Sequence, residues 1–166
     1  MPIPTYDDVV ELPREWGPIT VPASFEDENG HMNVRHYFDL CINSLQVVFD
    51  RLGIDDEYRA SRGQGVFTAE HHVRYYSECH VGDDVSIHSR YVDRSDKIMH
   101  AMAFLVNDTT RRLACTLEVV VTHVDMTTRR VTPFDADVAA IIDAERARTD
   151  AVGWDAPVCG AMGIRR

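Results

Sequence analysis

The sequence predicts an α+β domain in which an antiparallel sheet of about five strands wraps one long helix, with a second helix closing the chain. Three observations carry this. Between Asn33 and Leu52 apolar residues recur at spacings of three and four. The second half holds four stretches that alternate with period two. Short polar turns separate those stretches, so successive strands are antiparallel neighbours. A helix with one apolar stripe can cover one face of a curved sheet, and this pairing of layers buries both.

Taken in order, residues 1–17 read as irregular. ITVPASFED (19–27) has the β-branched and apolar content of a strand and runs into the turn-rich DENGHMN. In the long helix, Tyr37, Leu40, Cys41, Ser44, Val48 and Leu52 form the stripe, Asn33 is the expected N-cap and Gly53 the stop. A short polar helix at IDDEYRASR and a loop follow. Strands are expected at 66–78, 85–93, 98–106 and 113–125, with Leu113, Cys115, Leu117, Val119 and Val121 on one face of the last. PFDADVAAIIDAERAR reads as the closing helix, with Asp135 as its cap. Residues 1–150 are thus one domain, and 151–166, which lose periodicity, are expected to be a mobile tail.

Composition narrows the function. A chain of 166 residues, 45% apolar and 27% charged, is ordinary for a globular domain. No run approaches the roughly 20 apolar residues that span a bilayer, and the N-terminus lacks the basic-then-apolar order of a signal peptide. Four scattered cysteines without a CxxC pair read as reduced thiols, so a cytoplasmic protein without membrane partners is expected. The formal charge of −10 argues against a nucleic-acid partner but leaves room for a phosphate held by local arginines. The eight histidines match no ligand spacing such as HExxH, so neither a metal nor a cofactor is expected.

The chemistry concentrates at the start of the long helix. FEDENGHMNVRHYFDLC (25–41) places Asp27, Asn29 and His31 just before it, and the amides near Asn33 and Val34 open it. Unpaired N–H groups and the positive end of the helix dipole favour an oxyanion there. If 27–31 were extended, Asp27, Asn29 and His31 would share a side, although Gly30 bends the chain. An Asp-x-Asn-Gly run is equally a common turn.

This stretch resembles the D-x-x-G-H-x-N…Y signature of the 4-hydroxybenzoyl-CoA thioesterase-like family, here Asp27, Gly30, His31, Asn33 and Tyr37. It is also similar to the D-x-N-x-H motif of plant acyl-carrier-protein thioesterases, with Glu78 and Cys79 resembling their following Glu-Cys pair. DENGHMN, FTAEHHVRYYSE and THVDMTTRRVTPF look like bacterial thioesterases of carnitine breakdown, which act on betainyl-CoA. Val34 stands where many relatives carry a polar residue. The resemblance implies a hotdog fold, residues 19–148 being covered, and hydrolysis of an acyl-CoA thioester, CoA being part of the substrate.

On that reading Asp27 is the nucleophile or general base, Asn29 fixes it or a water, and His31 orients it or serves as acid, with Glu78 joining the catalytic set. Asn33 and Val34 supply oxyanion amides. Tyr37, Phe67, Glu70, His72 and Tyr76 would contact the acyl group, at most one of His71 and His72 facing the site. Arg90, Arg94, Lys97, Arg129 and Arg130 are candidates for the CoA phosphates. An open strand edge implies a homo-oligomer, dimer or tetramer. Two rivals remain: a hotdog hydratase or dehydratase, and a non-catalytic acyl-CoA-binding domain.

Overall fold

The computed structural model describes residues 2–164. In chain order it contains α1 (Tyr6–Val9), β1 (Arg14–Thr20), a 3-10 turn (Ala23–Phe25), α2 (Val34–Arg51), α3 (Asp56–Arg62), β2 (Gln64–Tyr75), β3 (Asp84–Arg94), β4 (Ile98–Asn107), β5 (Arg112–Asp125), β6 (Arg130–Val131) and α4 (Ala136–Thr149). The sheet is antiparallel in the order β1-β3-β4-β5-β2, and the two-residue β6 folds back on the end of β5.

The helix stripe sets the core. Tyr37, Leu40, Cys41, Ser44, Val48 and Leu52 of α2 are all buried, packed over the inner face of the sheet with Cys115, Leu117, Val119 and Val121. Each apolar side chain of leucine or valine size so buried contributes about 1.5–3 kcal/mol relative to exposure. Asn33 caps α2 through its Oδ1, which accepts the Arg35 N–H at 3.1 Å. Gly53 ends it at φ +76°, a conformation that favours glycine.

Three local departures from strict alternation shift the expected elements. The first strand is Arg14–Thr20, beginning within the segment expected to be irregular and sharing only residues 19 and 20 with the strand expected at 19–27, and 23–25 is a turn. Gly17 sits in this strand at φ +88°, where a Cβ would lie 2.7 Å from the Val85 oxygen. The Gly17-Pro18 pair is therefore an irregularity within a strand. A register shift in the β4–β5 pairing puts Ala114 in the inner core and moves Leu113 to the outer face. A second shift, between Thr68 and Glu70, changes which β2 residues face α2. β2 stops at Tyr75, three residues before the expected end at 78; the next two amides, of Tyr76 and Ser77, both donate to the Ala114 carbonyl.

The outer face has its own small core of Val9, Leu12, Met102, Phe104, Val106 and Leu113. The segment after Thr149 carries no helix or strand up to residue 164. Its Trp154 meets Phe104 edge-on at 5.5 Å, and Val152 and Val158 pack beside it. The last two residues of the tail lie outside the described residues.

Candidate active site

The segment preceding α2 folds back on itself. Glu26 and Met32 form an isolated antiparallel bridge, and the Asn33 N–H donates to the Phe25 carbonyl at 2.8 Å. Within this closure the Gly30 N–H donates to the Asp27 carbonyl and the Asp27 N–H to the His31 carbonyl, both at 3.0 Å. The run 27–31 is therefore a tight turn, with Gly30 at φ +80°. The carboxylate of Asp27 accepts the Asn29 N–H at 2.9 Å, and its Oδ1 lies 3.7 Å from His31 Nδ1. It is thus the backbone of Asn29 that fixes Asp27, while Asn29 as a whole is exposed.

Two further contacts bring residues 75–79 against this turn. The Met32 N–H donates to the Cys79 carbonyl at 2.7 Å, and the Cys79 N–H donates to the Tyr37 hydroxyl at 2.8 Å. Between the two segments lies a cavity of about 320 Å³ lined by His31, Met32, Val34, Tyr37, Tyr75, Tyr76, Ser77 and Glu78. Asp27 stands behind that wall, its side chain 11% exposed, and reaches the cavity through His31. Glu78 sits on the wall with an exposed carboxylate, 3.9 Å from His80 Nε2.

The amides at the helix start divide. That of Asn33 is already bound to Phe25, which corrects its expected role as an oxyanion donor. That of Val34 has no acceptor among the described residues, and Val34 borders the cavity. Burial raises the Tyr37 phenol well above its ordinary pKa, and burial pushes the Cys79 thiol up to about 11. Both stay protonated at neutral pH, and Cys79 is no nucleophile.

The other acyl-site candidates fall elsewhere. Tyr75 pairs with Cys115 and faces α2, meeting Tyr37 edge-on at 5.4 Å. Because of the shift at Ala69, Phe67, Glu70 and His72 pair with Thr122, Val120 and Glu118 and lie on the face away from α2. His71, the neighbour of His72, is the one that faces inward, against Phe38 at 5.2 Å. Of the expected acyl contacts, Tyr37 and Tyr76 line the cavity.

The phosphate candidates also require correction. Arg90 is buried, donating to the Trp154 carbonyl and lying over its ring at 5.0 Å. Arg94 is held by Asp143, its Nε donating at 2.6 Å. Lys97, Arg129 and Arg130 sit at the opposite end of the sheet. Arg130 pairs with Asp125, ten residues along β5 from the Cys115 that marks the cavity, or roughly 33 Å of strand. One cation that the sequence analysis does not single out is Arg112. With Thr110 and His80 it lines a second cavity, of about 400 Å³, that shares Tyr76, Ser77 and Glu78 with the first. Strand register was the available signal, since the start of β5 must pass the end of β2.

A curled antiparallel sheet around one helix, with a cavity at the helix start, is the hotdog fold. The chain aligns with a Staphylococcus aureus protein solved in complex with CoA at a TM-score of 0.80, with 23% identity over 93% of this chain and 96% of that one. It aligns with a 1,4-dihydroxy-2-naphthoyl-CoA thioesterase from Synechocystis at 0.66, with 11% identity over 75% and 92% of the two chains. The thioesterase-like superfamily model matches residues 21–142, and the chain belongs to that superfamily of enzymes. It is 24% identical over 118 residues to a betainyl-CoA thioesterase from Pseudomonas aeruginosa, covering 71% of this chain and 74% of that protein. It is 30% identical over 110 residues to an L-carnitine dehydrogenase/betainyl-CoA thioesterase from Ruegeria pomeroyi, covering 66% of this chain. The match spans 22% of the length of that relative.

Proposed function

We propose that this chain hydrolyses an acyl-CoA thioester to the free acid and CoA, and that its substrate class is a short acyl group bearing a quaternary ammonium, as in betainyl-CoA. The observation that carries the hydrolysis is one cavity bordered both by Val34, whose amide is unclaimed among the described residues, and by His31, with the Asp27 carboxylate 3.7 Å from the His31 ring. A thioester needs a nucleophile and a donor for the developing oxyanion, and little more, because its leaving thiolate derives from a thiol of pKa about 8.5.

Asp27 is set back from the wall, so it acts on a water and not on the carbonyl itself. The Asn29 amide holds one oxygen of the carboxylate, and the other takes the proton of the attacking water. The Val34 N–H, at the positive end of α2, receives the charge on the tetrahedral intermediate. Asp27 passes that proton to His31, 3.7 Å away, and His31 delivers one to the departing CoA thiolate, so that both side chains regain their starting states. Glu78, on the wall, adds negative charge near the acyl group.

The substrate class rests on the cavity's character and on the relatives' names. Three tyrosines, Tyr37, Tyr75 and Tyr76, and the Glu78 carboxylate line it. Each aromatic face offers a cation about 0.5–2 kcal/mol, depending on desolvation. The CoA phosphates are assigned to Arg112, and the chain to a homo-oligomer in the cytoplasm whose β2 edges meet. That pairing would bring the far end of one subunit, with Lys97, Arg129 and Arg130, toward the cavity of the other.

The test is release of free thiol from a panel of acyl-CoAs. Betainyl-CoA should exceed a neutral acyl-CoA of equal size by at least about tenfold in kcat/KM, the worth of one good cation–aromatic contact. Equal or better hydrolysis of the neutral ester removes the cationic substrate and leaves hydrolysis standing. A hydrated acyl-CoA, or binding without thiol release, removes hydrolysis itself.

A further inference from the structure

On the outer face, away from the cavity, a group of side chains has no part in the chemistry above. Glu118 of β5 is 1% exposed. His100 of β4 hydrogen-bonds its Oε1 at 2.9 Å through Nε2. The backbone N–H of Cys159, in the C-terminal tail, donates to its Oε2 at 2.8 Å. His72 of β2 brings Nδ1 to 3.9 Å from the same Oε2. The imidazole nitrogen of His72, a carboxylate oxygen of Glu118 and the thiol sulfur of Cys159 all lie within 4.8 Å of one another.

We propose that His72, Glu118 and Cys159 bind one zinc-class divalent cation that fastens the C-terminal tail to strands β2 and β5. Imidazole, carboxylate and thiolate are the ligand types zinc takes, at about 2.0–2.3 Å, which puts ligand atoms roughly 3.5 Å apart around a tetrahedral ion. From the present separations the site closes by small movements of two partly exposed side chains, His72 and Cys159. The charges also balance. Bound as carboxylate, neutral imidazole and thiolate, with the displaced protons released to solvent, the three ligands carry two negative charges that neutralise the ion. His100 holds the other carboxylate oxygen, the position from which a neighbouring group orients a ligand. The fourth coordination position opens to solvent and takes a water.

The site joins parts of the chain that no motif spacing connects: residue 72 on an edge strand, 118 on its neighbour and 159 in a segment without helix or strand. Without the ion the tail is held by Trp154, its apolar neighbours and the hydrogen bonds to Arg90 and Glu118. With it, the tail gains a cross-link to the middle of the sheet.

The experiment uses the full chain, stripped with a chelator and titrated with Co²⁺ and then Zn²⁺. We expect one equivalent of cobalt per chain, with a thiolate-to-cobalt charge-transfer band that zinc abolishes. Cys159→Ser should lose the band and weaken zinc binding more than about a hundredfold, beyond the 10–100-fold expected for losing an orienting neighbour alone. His72→Ala should keep the band and bind cobalt more weakly. A wild-type chain without the band overturns the proposal, as does a band that survives Cys159→Ser, since the thiolate would then be one of the buried cysteines Cys41, Cys79 or Cys115. An independent reading is amide hydrogen exchange over 150–164, which zinc should slow at least tenfold in the wild type and leave unchanged in Cys159→Ser. Equal exchange with and without zinc in the wild type also overturns it.

Discussion

The geometry that unites Asp27 and His31 is a turn, which holds the carboxylate 3.7 Å from the imidazole. The Asx turn at Asp27 is compatible with the role proposed for it, since Asn29 satisfies one carboxylate oxygen and leaves the other open. The bulge at Ala69 brings Phe67, Glu70 and His72 onto one face, the outer one, although strict alternation would set Phe67 opposite the other two. Arg90 and Arg94 were misplaced because their carboxylate and carbonyl partners lie some 50 to 64 residues away in sequence, beyond the reach of pattern reading. This separates two arginines by experiment. Arg112→Ala should raise KM for acyl-CoA several-fold with kcat nearly unchanged, the mark of binding shared by ground and transition states. Arg94→Ala should leave KM alone and change stability by no more than about 1 kcal/mol, because its pair with Asp143 is largely solvated. A KM effect at Arg94 and none at Arg112 would reverse the assignment.

At the scale of elements, α2 was readable from end to end because its period, cap and stop agree. β1 was not, because Trp-Gly-Pro carries turn residues and the strand is held by long-range partners. Its Glu15 is buried and takes a bidentate pair from Arg51 of α2 and a hydrogen bond from Ser89 at 2.5 Å. The neighbouring strand supplies a pH test. His88 of β3 is 2% exposed, Nδ1 lying 2.9 Å from the Leu12 carbonyl, and burial lowers its pKa. His36 is lowered in the same direction, again by burial. A depressed histidine leaves stability whole above the unfolded pKa of about 6.5 and erodes it below, since the unfolded chain takes up a proton the folded one refuses. Unfolding free energy should therefore fall as pH drops from 7 toward 5, by at most about 1.4 kcal/mol per pH unit for each histidine. His88→Gln should flatten that slope in denaturant titrations. An unchanged slope would show that His88 does not carry it.

For the molecule as a whole, the sheet closes on one side and not the other. The half of β3 that β1 leaves unpaired is capped by α4, with the Tyr91 N–H donating to Thr149 Oγ1 at 3.2 Å. The twelve residues of β2 pair with β5 alone among the described residues, leaving a long edge of the kind proteins cover or pair. Light scattering at micromolar concentration should therefore give at least twice the chain mass of 18.8 kDa. A monomer would mean that the edge is managed some other way and that Lys97, Arg129 and Arg130 never approach a cavity.

Thioester hydrolysis centred on Asp27 is tested most directly by thiol release from betainyl-CoA with the wild-type chain and with Asp27→Asn. Asparagine keeps the shape and can still accept the Asn29 N–H, so the turn survives while the base is lost. The substitution should reduce kcat by at least about a hundredfold, the range for removing a positioned general base, with the circular dichroism and melting curve unchanged. A folded Asp27→Asn chain with near-normal kcat would contradict the assignment.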